Sequence, residues 1–389
     1  MLKQRWQTPL IIVIFMAMLV LPLLFADWKG GAVSVAENRV LAKAPWFLED
    51  QSHPRIAVES WINDNAGFRT LAMKARIHLE FGLFHRSAVS SFLVGQEDWL
   101  YYAPKDIIAD YVGENLWPED ELDKLNDNLK VLNQMVEKNG AKLLMTIVPD
   151  KKTMYPEYYS PYLRHETEKT RTKQLAESIR ANQSFPLVLL QETLEQNKHR
   201  GYLYSPRTDT SHWNHLGAYV GYEKLMQEAE KLIGKMTYVP LDQCTITSQE
   251  LSGSFLDAVD VKEPGYLIYN DRTYHQEMRA EYLDQYDFLT FENVPGAYKQ
   301  YYVNTQGEQL PRILYVGDSY GLMINGFLAQ SASSMMYIHR SDIKTLHRLF
   351  EHEQFDLVIF EVVERMLGSF HHNLTELHPP GQVDSGYDE

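Results

Sequence analysis

Cysteine is almost absent from this chain of 389 residues, which contains only Cys244. A single thiol cannot form an intrachain disulfide, and it excludes a zinc site built from several thiolates. The stability of the fold must therefore come from core packing. Cys244 itself, in "PLDQCTITS", is expected to be a small buried side chain, as unpaired cysteines usually are.

Basic charge is in deficit, because 37 Lys and Arg stand against 52 Asp and Glu, a formal net charge of −15. Sequence-independent binding to nucleic acid needs a basic surface, and no run of Lys or Arg supplies one. We therefore expect no nucleic-acid partner. Internal repeats and low-complexity tracts are also lacking, and a hydrophobic content of 44% indicates globular domains rather than disorder.

One long apolar run is present, at the N-terminus. Lys3 and Arg5 precede the uncharged segment Leu10–Phe25, an order typical of a secretory signal or of a membrane anchor. Signal cleavage favours a small residue where Leu24 stands, so we expect residues 1–26 to be an uncleaved transmembrane anchor, with cleavage and secretion as the alternative. With the cations held inside, residues after Ala26 would lie outside the cytoplasmic membrane, in the periplasm or at the cell surface.

Four segments follow the apolar run. Residues 27–90 show apolar residues at helical spacing and are predicted to be a helical juxtamembrane segment. Over 91–375, helical patterns alternate with short apolar runs such as "KLLMTIVP", "FPLVLLQ", "RILYVG" and "FDLVIFEVV", which predicts an α/β domain with a parallel sheet covered by helices. Residues 235–310 interrupt this pattern and are predicted to be a β-rich insertion. Residues 376–389 are predicted to be a flexible tail.

A candidate nucleophile follows one of the predicted strands. Gly317-Asp318-Ser319 lies between "RILYVG" and the helical pattern "GLMINGFLAQ". A serine at a strand-to-helix turn lies at the carboxyl edge of a parallel sheet, where such folds bind ligands, and the helix start leaves backbone N–H groups free. Ser319 is therefore a candidate nucleophile whose own N–H can stabilise an oxyanion. The alternative is that Asp318 and Ser319 only cap the helix.

A serine hydroxyl needs a base that a third group holds in orientation. The stretch "SPRTDTSHWNHLGAY" contains Asp209 and His212. A carboxylate three residues before a histidine can reach one imidazole nitrogen and leave the other facing Ser319. The alternative is an Asx turn that caps the following helix. Taken with the serine turn, the spacing favours a Ser-His-Asp triad.

These motifs resemble the SGNH hydrolase superfamily, with GDS after a buried strand and DxxH at the end of another. The histidine precedes the serine and Trp213 follows the histidine, which resembles the alginate O-acetyltransferase branch of AlgX- and AlgJ-like proteins, as the N-terminal anchor also does. "GQEDWLYY", "VPDKKTMYPEYY" and "FDLVIFEVVERML" are similar to further segments of that branch. Its members have Asp-x-His-Trp, whereas this chain has one residue more between the acid and the histidine.

The resemblance implies an SGNH-like (flavodoxin-like) fold and an extracytoplasmic O-acetyltransferase that modifies a cell-surface or exported polysaccharide through an acetyl-serine intermediate. It also implies two partners, the polysaccharide acceptor and a membrane-bound acyltransferase that supplies acetyl groups, and no cofactor. Two alternatives stay open. The same triad could serve a carbohydrate esterase that removes acetyl groups, or the fold could belong to a non-catalytic glycan-binding scaffold of an export complex.

Five residues are candidates for contact with glycan or acetyl donor: Trp213 and Tyr320, which are next to triad residues in the sequence, and Lys151, Tyr155 and Arg340. The two aromatic residues next to the triad could stack on sugar rings and exclude water; ordinary core packing is the alternative for them, and a structural role for the others. No metal is expected, because His212/His215 and His371-His372 lack convergent ligands.

Overall fold

The computed structural model describes residues 4–34, 39–47, 53–234, 236–270, 276–289, 300–374 and 377. The chain forms two compact units, the first made of Met1–Val94 and Ser252–Lys262, the second of Gly95–Leu251 and Glu263–Glu389. The predicted tail lies outside the described residues except for Leu377. The predicted boundaries at 26, 90 and 375 stay predictions.

The first unit is mainly helical. Its elements are α1 (Gln4–Leu24), β1 (Val33–Ser34), β2 (Arg39–Val40), α2 (Pro54–Asn65), α3 (Arg69–Phe84) and β3 (Phe92–Val94), and β1 pairs with β2 in antiparallel orientation. The apolar run near the N-terminus forms α1, as its composition predicts. In the described ranges, however, no helix combines the length and the apolar character needed to cross a membrane, so the structure does not support the predicted transmembrane anchor.

The second unit is an α/β domain. Its strands are β4 (Leu100–Tyr102), β5 (Lys142–Val148), β6 (Leu187–Leu189), β7 (Cys244–Phe255), β8 (Val259–Asn270), β9 (Gln276–Met278), β10 (Gln300–Asn304), β11 (Arg312–Gly317), β12 (Ser334–His339) and β13 (Leu357–Val363). Its helices are α4 (Lys105–Tyr111), α5 (Glu119–Lys138), α6 (Lys151–Met154), α7 (Arg171–Asn182), α8 (Leu190–Asn197), α9 (His215–Ile233), α10 (Gly321–Gln330), α11 (Leu346–His352) and α12 (Leu367–Leu374). The last residues of β7 and the first residues of β8 lie within Ser252–Lys262 and are assigned to the first unit.

A seven-stranded sheet in the order β6-β5-β13-β11-β12-β10-β9 forms the centre of this domain. The five strands from β6 to β12 are parallel, which confirms the predicted mixed α/β architecture. All seven residues of β13 and six of the seven in β5 are buried, because helices cover both faces of a parallel sheet. The carboxyl ends of β5, β11, β12 and β13 consequently lie along one edge.

Part of the predicted β-rich insertion belongs to this sheet. β7 and β8 pair as a separate two-stranded sheet, but β10 pairs with β12 and β9 pairs with β10, both antiparallel. Their polar, alternating sequences suggested a separate insertion, whereas antiparallel strands at a sheet edge carry the same pattern when one face is less covered. Residues 271–275 and 290–299 of this region lie outside the described residues.

Two elements differ from their predicted extents. "FPLVLLQ" forms a strand only over β6, because Leu190 already begins α8. The polar sequence from Glu166 to Ala181 has a helical pattern throughout, but α7 begins only at Arg171, because the Thr170 side chain caps it by accepting the Lys173 N–H at 3.2 Å. The Glu166 carboxylate accepts the Glu168 N–H at 2.7 Å and so forms a turn before that cap.

Candidate active site

The candidate nucleophile Ser319 occupies the turn between the buried strand β11 and α10. Hydrogen bonds of Asp318, which is 4% exposed, fix this turn. Its carboxylate accepts the Tyr320 N–H at 3.1 Å and the Val363 N–H at 3.0 Å, and its carbonyl accepts the Gly321 N–H at 3.0 Å. Asp318 therefore holds the turn, and the half-buried Ser319 side chain remains available for chemistry.

Crowding explains the two glycines that flank this turn. A Cβ atom on Gly317 would lie 2.6 Å from Glu361 Oε2, and one on Gly321 would lie 2.5 Å from a ring carbon of Tyr315. Larger residues at either position would thus push the serine turn out of place. The atoms that would clash with a side chain at Gly317 or Gly321 belong to residues in the protein interior.

The histidine loop is anchored by the start of α9. The Asn214 side chain caps this helix by accepting the N–H groups of Leu216 and Gly217, both at 3.0 Å. The Trp213 indole packs against the same helix at Gly221. A Cβ atom at that position would lie 2.8 Å from the indole ring, so glycine permits this close contact. This packing fixes the backbone next to His212.

The structure brings the three predicted triad residues together. His212 Nε2 lies 2.8 Å from Ser319 Oγ. His212 Nδ1 lies 3.0 Å and 3.1 Å from the two carboxylate oxygens of Asp209. His212 and Ser319, which are 107 positions apart in the chain, are thus hydrogen-bonded to each other at the sheet edge. The distance between Nε2 and Oγ is one that permits proton transfer from serine to imidazole.

Asp209 also forms an Asx turn, which was the alternative interpretation of its spacing to His212. Its Oδ1 accepts the N–H groups of Ser211 and His212, both at 2.8 Å, so the extra loop residue is accommodated within an Asx turn. Burial alone would raise the pKa of Asp209, but these bonds and the nearby imidazole hold the pKa well below its ordinary value. The carboxylate is therefore charged at neutral pH and oriented toward His212.

Tyr320 and Trp213 connect the serine turn to the histidine loop. The Tyr320 hydroxyl donates to the Ser211 carbonyl at 2.5 Å, and the Trp213 indole donates to the Tyr320 carbonyl at 3.0 Å. Tyr320 has no exposed surface, and Trp213 is 1% exposed. In this structure protein encloses both side chains, so neither presents a surface on which a sugar ring could stack, and the predicted sugar contact stays a prediction. They position the triad.

Lys151 is likewise buried rather than available to substrate, with 1% exposure. Its Nζ donates to the carbonyl oxygens of Leu100 at 2.7 Å, Asp209 at 2.8 Å and Pro206 at 3.1 Å. Burial lowers the pKa of Lys151 to about 7, against the opposing attraction of the Asp209 and Glu263 carboxylates. This side chain holds the backbone of the loop that carries Asp209.

Tyr155 and Arg340, the other two predicted substrate contacts, are 3% and 5% exposed. The Tyr155 hydroxyl accepts the Leu203 N–H at 2.9 Å, and burial raises the pKa of this tyrosine to about 12. Arg340 Nε lies 4.0 Å from Asp318 Oδ2. In this structure Tyr155 supports the chain before the histidine loop and Arg340 compensates buried negative charge, and the predicted contact of either with substrate stays a prediction.

Sequence reasoning missed a buried ionic cluster at the ends of β5 and β13. Lys152 Nζ lies 2.8 Å from Asp110 Oδ2 and 3.3 Å from Glu364 Oε1, and Arg365 Nη1 donates to Asp150 Oδ1 at 2.5 Å. Burial would lower the pKa of Lys152, but the surrounding carboxylates raise it above its ordinary value. Charged residues directly after two apolar runs, in "VPDKK" and "VVERM", were the signal that could have revealed the cluster.

Glu361, on the buried strand β13, was also missed as part of the site. Its Oε2 accepts the Asp318 N–H at 3.0 Å, and the residue has no exposed surface. Burial and the neighbouring Asp318 carboxylate raise the pKa of Glu361 well above its ordinary value. The environment therefore favours the protonated form of this side chain, which supports the serine turn from below.

Backbone donors complete the geometry. In the described part of the chain, the Ser319 N–H donates to no protein acceptor, whereas the next two N–H groups are both bonded to Asp318. A free N–H at the candidate nucleophile is suited to an oxyanion. Among the described residues, no group of three His, Cys, Asp or Glu side chains is placed to hold a metal ion.

Comparison with known families places these residues within one recognised domain. The family model described as the SGNH hydrolase-like domain of the acetyltransferase AlgX matches residues 92–338, a range that contains Asp209, His212 and Ser319. Among curated proteins, none matches the sequence.

Bacillus cereus PatB1, among solved structures, shows the same fold at low sequence identity. Bacillus cereus PatB1 is 18% identical, with a TM-score of 0.51 over 71% of this chain and 96% of PatB1. The O-acetyltransferase domain of Pseudomonas putida AlgJ is 17% identical, with a TM-score of 0.44 over 71% of this chain and 92% of that domain. Pseudomonas aeruginosa AlgX is 15% identical, with a TM-score of 0.41 over 80% and 72% of the respective chains.

Proposed function

Because this chain belongs to the family of SGNH hydrolase-like domains described for the acetyltransferase AlgX, we propose that it transfers acetyl groups to a polysaccharide through an acetyl-serine intermediate on Ser319. One observation carries the proposal. The hydroxyl of Ser319 lies 2.8 Å from an imidazole whose other nitrogen lies 3.0 Å from the Asp209 carboxylate. This is the arrangement that converts a serine into a nucleophile.

In the first half-reaction Ser319 Oγ attacks the carbonyl carbon of an acetyl donor, and its proton passes to His212 Nε2. Asp209 accepts the hydrogen bond from His212 Nδ1 and stabilises the imidazolium. The Ser319 N–H is in position to donate to the developing oxyanion. Collapse of the tetrahedral intermediate breaks the bond to the leaving group, which takes the proton from His212 Nε2 and leaves acetyl-Ser319.

In the second half-reaction a sugar hydroxyl attacks acetyl-Ser319. His212 Nε2 accepts the proton of that hydroxyl and returns it to Ser319 Oγ as the ester bond to serine breaks. The product is an O-acetylated sugar, and the enzyme regains its starting protonation. Water in place of the sugar would give acetate and make the protein an esterase.

The acceptor, the donor and the location follow from the family rather than from the geometry. We propose a cell-surface or exported polysaccharide as acceptor and a membrane-bound acyltransferase as the source of acetyl groups. Lys3 and Arg5 ahead of an apolar helix support action outside the cytoplasmic membrane.

The experiment is intact-mass spectrometry of the full chain after brief exposure to p-nitrophenyl acetate, with and without oligosaccharide. One acetyl group is expected on Ser319, and oligosaccharide is expected to remove it faster than water while becoming acetylated itself. Ser319→Ala should acquire none. Ser211→Ala is the matched control, because Ser211 Oγ lies 3.3 Å from His212 Nδ1 and not beside Nε2, so this variant should still be acetylated.

Two results would contradict the proposal. Acetylation of Ser319→Ala to the same extent as the unaltered chain would remove Ser319 as the nucleophile. Loss of acetyl-Ser319 at a rate that no oligosaccharide changes, with no acetylated sugar formed, would favour hydrolysis over transfer.

A further inference from the structure

Helix α3 of the first unit carries leucines on its solvent side. Leu71, Leu79 and Leu83 are 67%, 51% and 70% exposed, and helical geometry places them within a sector of about 120°. Ile77, on the other side of the helix, is buried. A helix normally turns its apolar side toward the core, so three exposed leucines in one sector indicate a surface that contacts something apolar.

This apolar face continues beyond the helix. Phe68, the N-cap of α3, is 51% exposed, and its ring lies 5.2 Å from the ring of Phe25. Phe25 directly follows α1, whose exposed side chains are almost all apolar. The N–H of Gly67 donates to the carbonyl of Pro22 at 2.7 Å, so the end of α1 is fixed to the start of α3.

Cations border the apolar face. The side chains of Lys74, Arg76 and Arg86 are 40%, 67% and 64% exposed. Acidic side chains of the first unit lie near these cations. Lys74 is 3.2 Å from Asp257, Arg76 is 3.9 Å from Glu80, and Arg86 is 2.5 Å from Glu80. Residues 1–94 nevertheless contain ten Lys and Arg against seven Asp and Glu, a net of +3, within a chain of −15. Positive charge is thus concentrated in the part of the chain that exposes apolar helices.

We propose that α3 binds the surface of an anionic lipid bilayer, with its leucines at the boundary between headgroups and acyl chains and its cations at the lipid phosphates. Exposed leucines with flanking Lys and Arg are the features of helices that lie in this boundary. The continuity with α1 favours a bilayer over a protein groove, because both apolar surfaces would enter the same medium. This inference is independent of acetyl transfer.

The test uses the full chain with Cys244→Ser, which removes its only thiol, and Leu83→Cys labelled with the environment-sensitive dye NBD. Vesicles of phosphatidylcholine with phosphatidylglycerol should shift the emission to the blue and increase it. Partition into pure phosphatidylcholine should be about tenfold weaker, because the cations lose their lipid partners.

A second labelled variant carries Leu71→Gln and Leu79→Gln. Both side chains are exposed, so circular dichroism should show an unchanged fold, while partition should weaken at least about tenfold. The matched control is Leu116→Gln, a 36% exposed leucine of the second unit, with unchanged partition. Emission that no vesicle alters, or partition that the double substitution leaves intact, would overturn the proposal and leave the face to a protein partner. Equal partition into both vesicle types would overturn the assignment of an anionic surface.

Discussion

Tyr320→Phe tests whether a fully buried aromatic residue next to the nucleophile positions the triad or contacts substrate. The change removes one oxygen atom and keeps the ring and its packing. Two hydrogen bonds are lost: the one donated to the Ser211 carbonyl at 2.5 Å and the one accepted from Arg365 Nη1 at 3.1 Å. Because Ser211 precedes His212, the first of these bonds holds the base near the nucleophile.

The expected magnitude follows from these two bonds. A partly buried carbonyl without its donor costs about 1–3 kcal/mol, and a bond from a charged group contributes about 1.5–3 kcal/mol. Arg365 keeps its bond to Asp150 at 2.5 Å, so the second loss lies at the low end, and the free energy of unfolding should fall by about 2–4 kcal/mol. Since a displacement on the order of 1 Å can reduce a rate by about a hundredfold, we expect kcat to fall about 10–100-fold and KM to change little.

Urea unfolding gives the stability, and release of p-nitrophenol from p-nitrophenyl acetate gives kcat and KM. Tyr315→Phe is the control. That tyrosine is equally buried, but among the residues that the structure describes its hydroxyl makes a single, long hydrogen bond of 3.5 Å to Glu361 Oε2, so both quantities should change little. An increase in KM with kcat intact would place Tyr320 at the substrate. Either that result or unaltered kinetics in an otherwise destabilised protein would refute the positioning role.

Three further predictions concern the surroundings of the triad. Lys151→Met removes the group that donates to three carbonyl oxygens of the backbone. Steady-state kinetics should therefore show kcat lowered at least about tenfold, with little change in the KM for the acceptor. A change confined to that KM would mean that Lys151 touches the glycan. The raised pKa favours the protonated form of Glu361, and Glu361→Gln keeps its size and an oxygen that can accept the Asp318 N–H. The free energy of unfolding in urea at pH 7 should therefore change by less than about 1 kcal/mol, whereas Glu361→Ala should lower it by about 2 kcal/mol or more. An equal loss in both variants would contradict the preference for the protonated form. The pKa of Asp209 is lowered below 3.8 in the folded state, so its stabilising contribution is complete above that pH and is lost as pH falls further. Unfolding measured at pH 5, 4 and 3 should therefore decline less for Asp209→Asn than for the unaltered chain, and parallel curves would contradict this.

The strands that carry the site were predictable because a strand buried on both faces must be apolar throughout. "RILYVG" and "FDLVIFEVV" therefore identified β11 and β13, and the α/β alternation identified the sheet to which they belong. The region 235–310 was less predictable, because an antiparallel edge strand such as β10 has the same sequence pattern as a strand in a separate insertion.

The triad members were predictable from local chemistry. A serine after a strand, and an acid and a histidine three residues apart, indicate their roles by residue type and spacing alone. The roles of Trp213, Tyr320 and Lys151 were not predictable in this way. An aromatic or a lysine near a catalytic residue in sequence can point outward to substrate or inward to the backbone, and the sequence pattern is the same in both cases.

The sequence by itself determined which residue types are present at the carboxyl ends of the strands, and therefore which chemistry is possible there. Only the tertiary structure decided that His212 reaches Ser319 across 107 positions, that Lys151 donates to three carbonyl oxygens, and that Glu361 lies beneath the serine turn. The physical reason is that periodicity and composition depend on neighbours along the chain, whereas burial, hydrogen-bond partners and pKa depend on groups brought together by packing between distant segments.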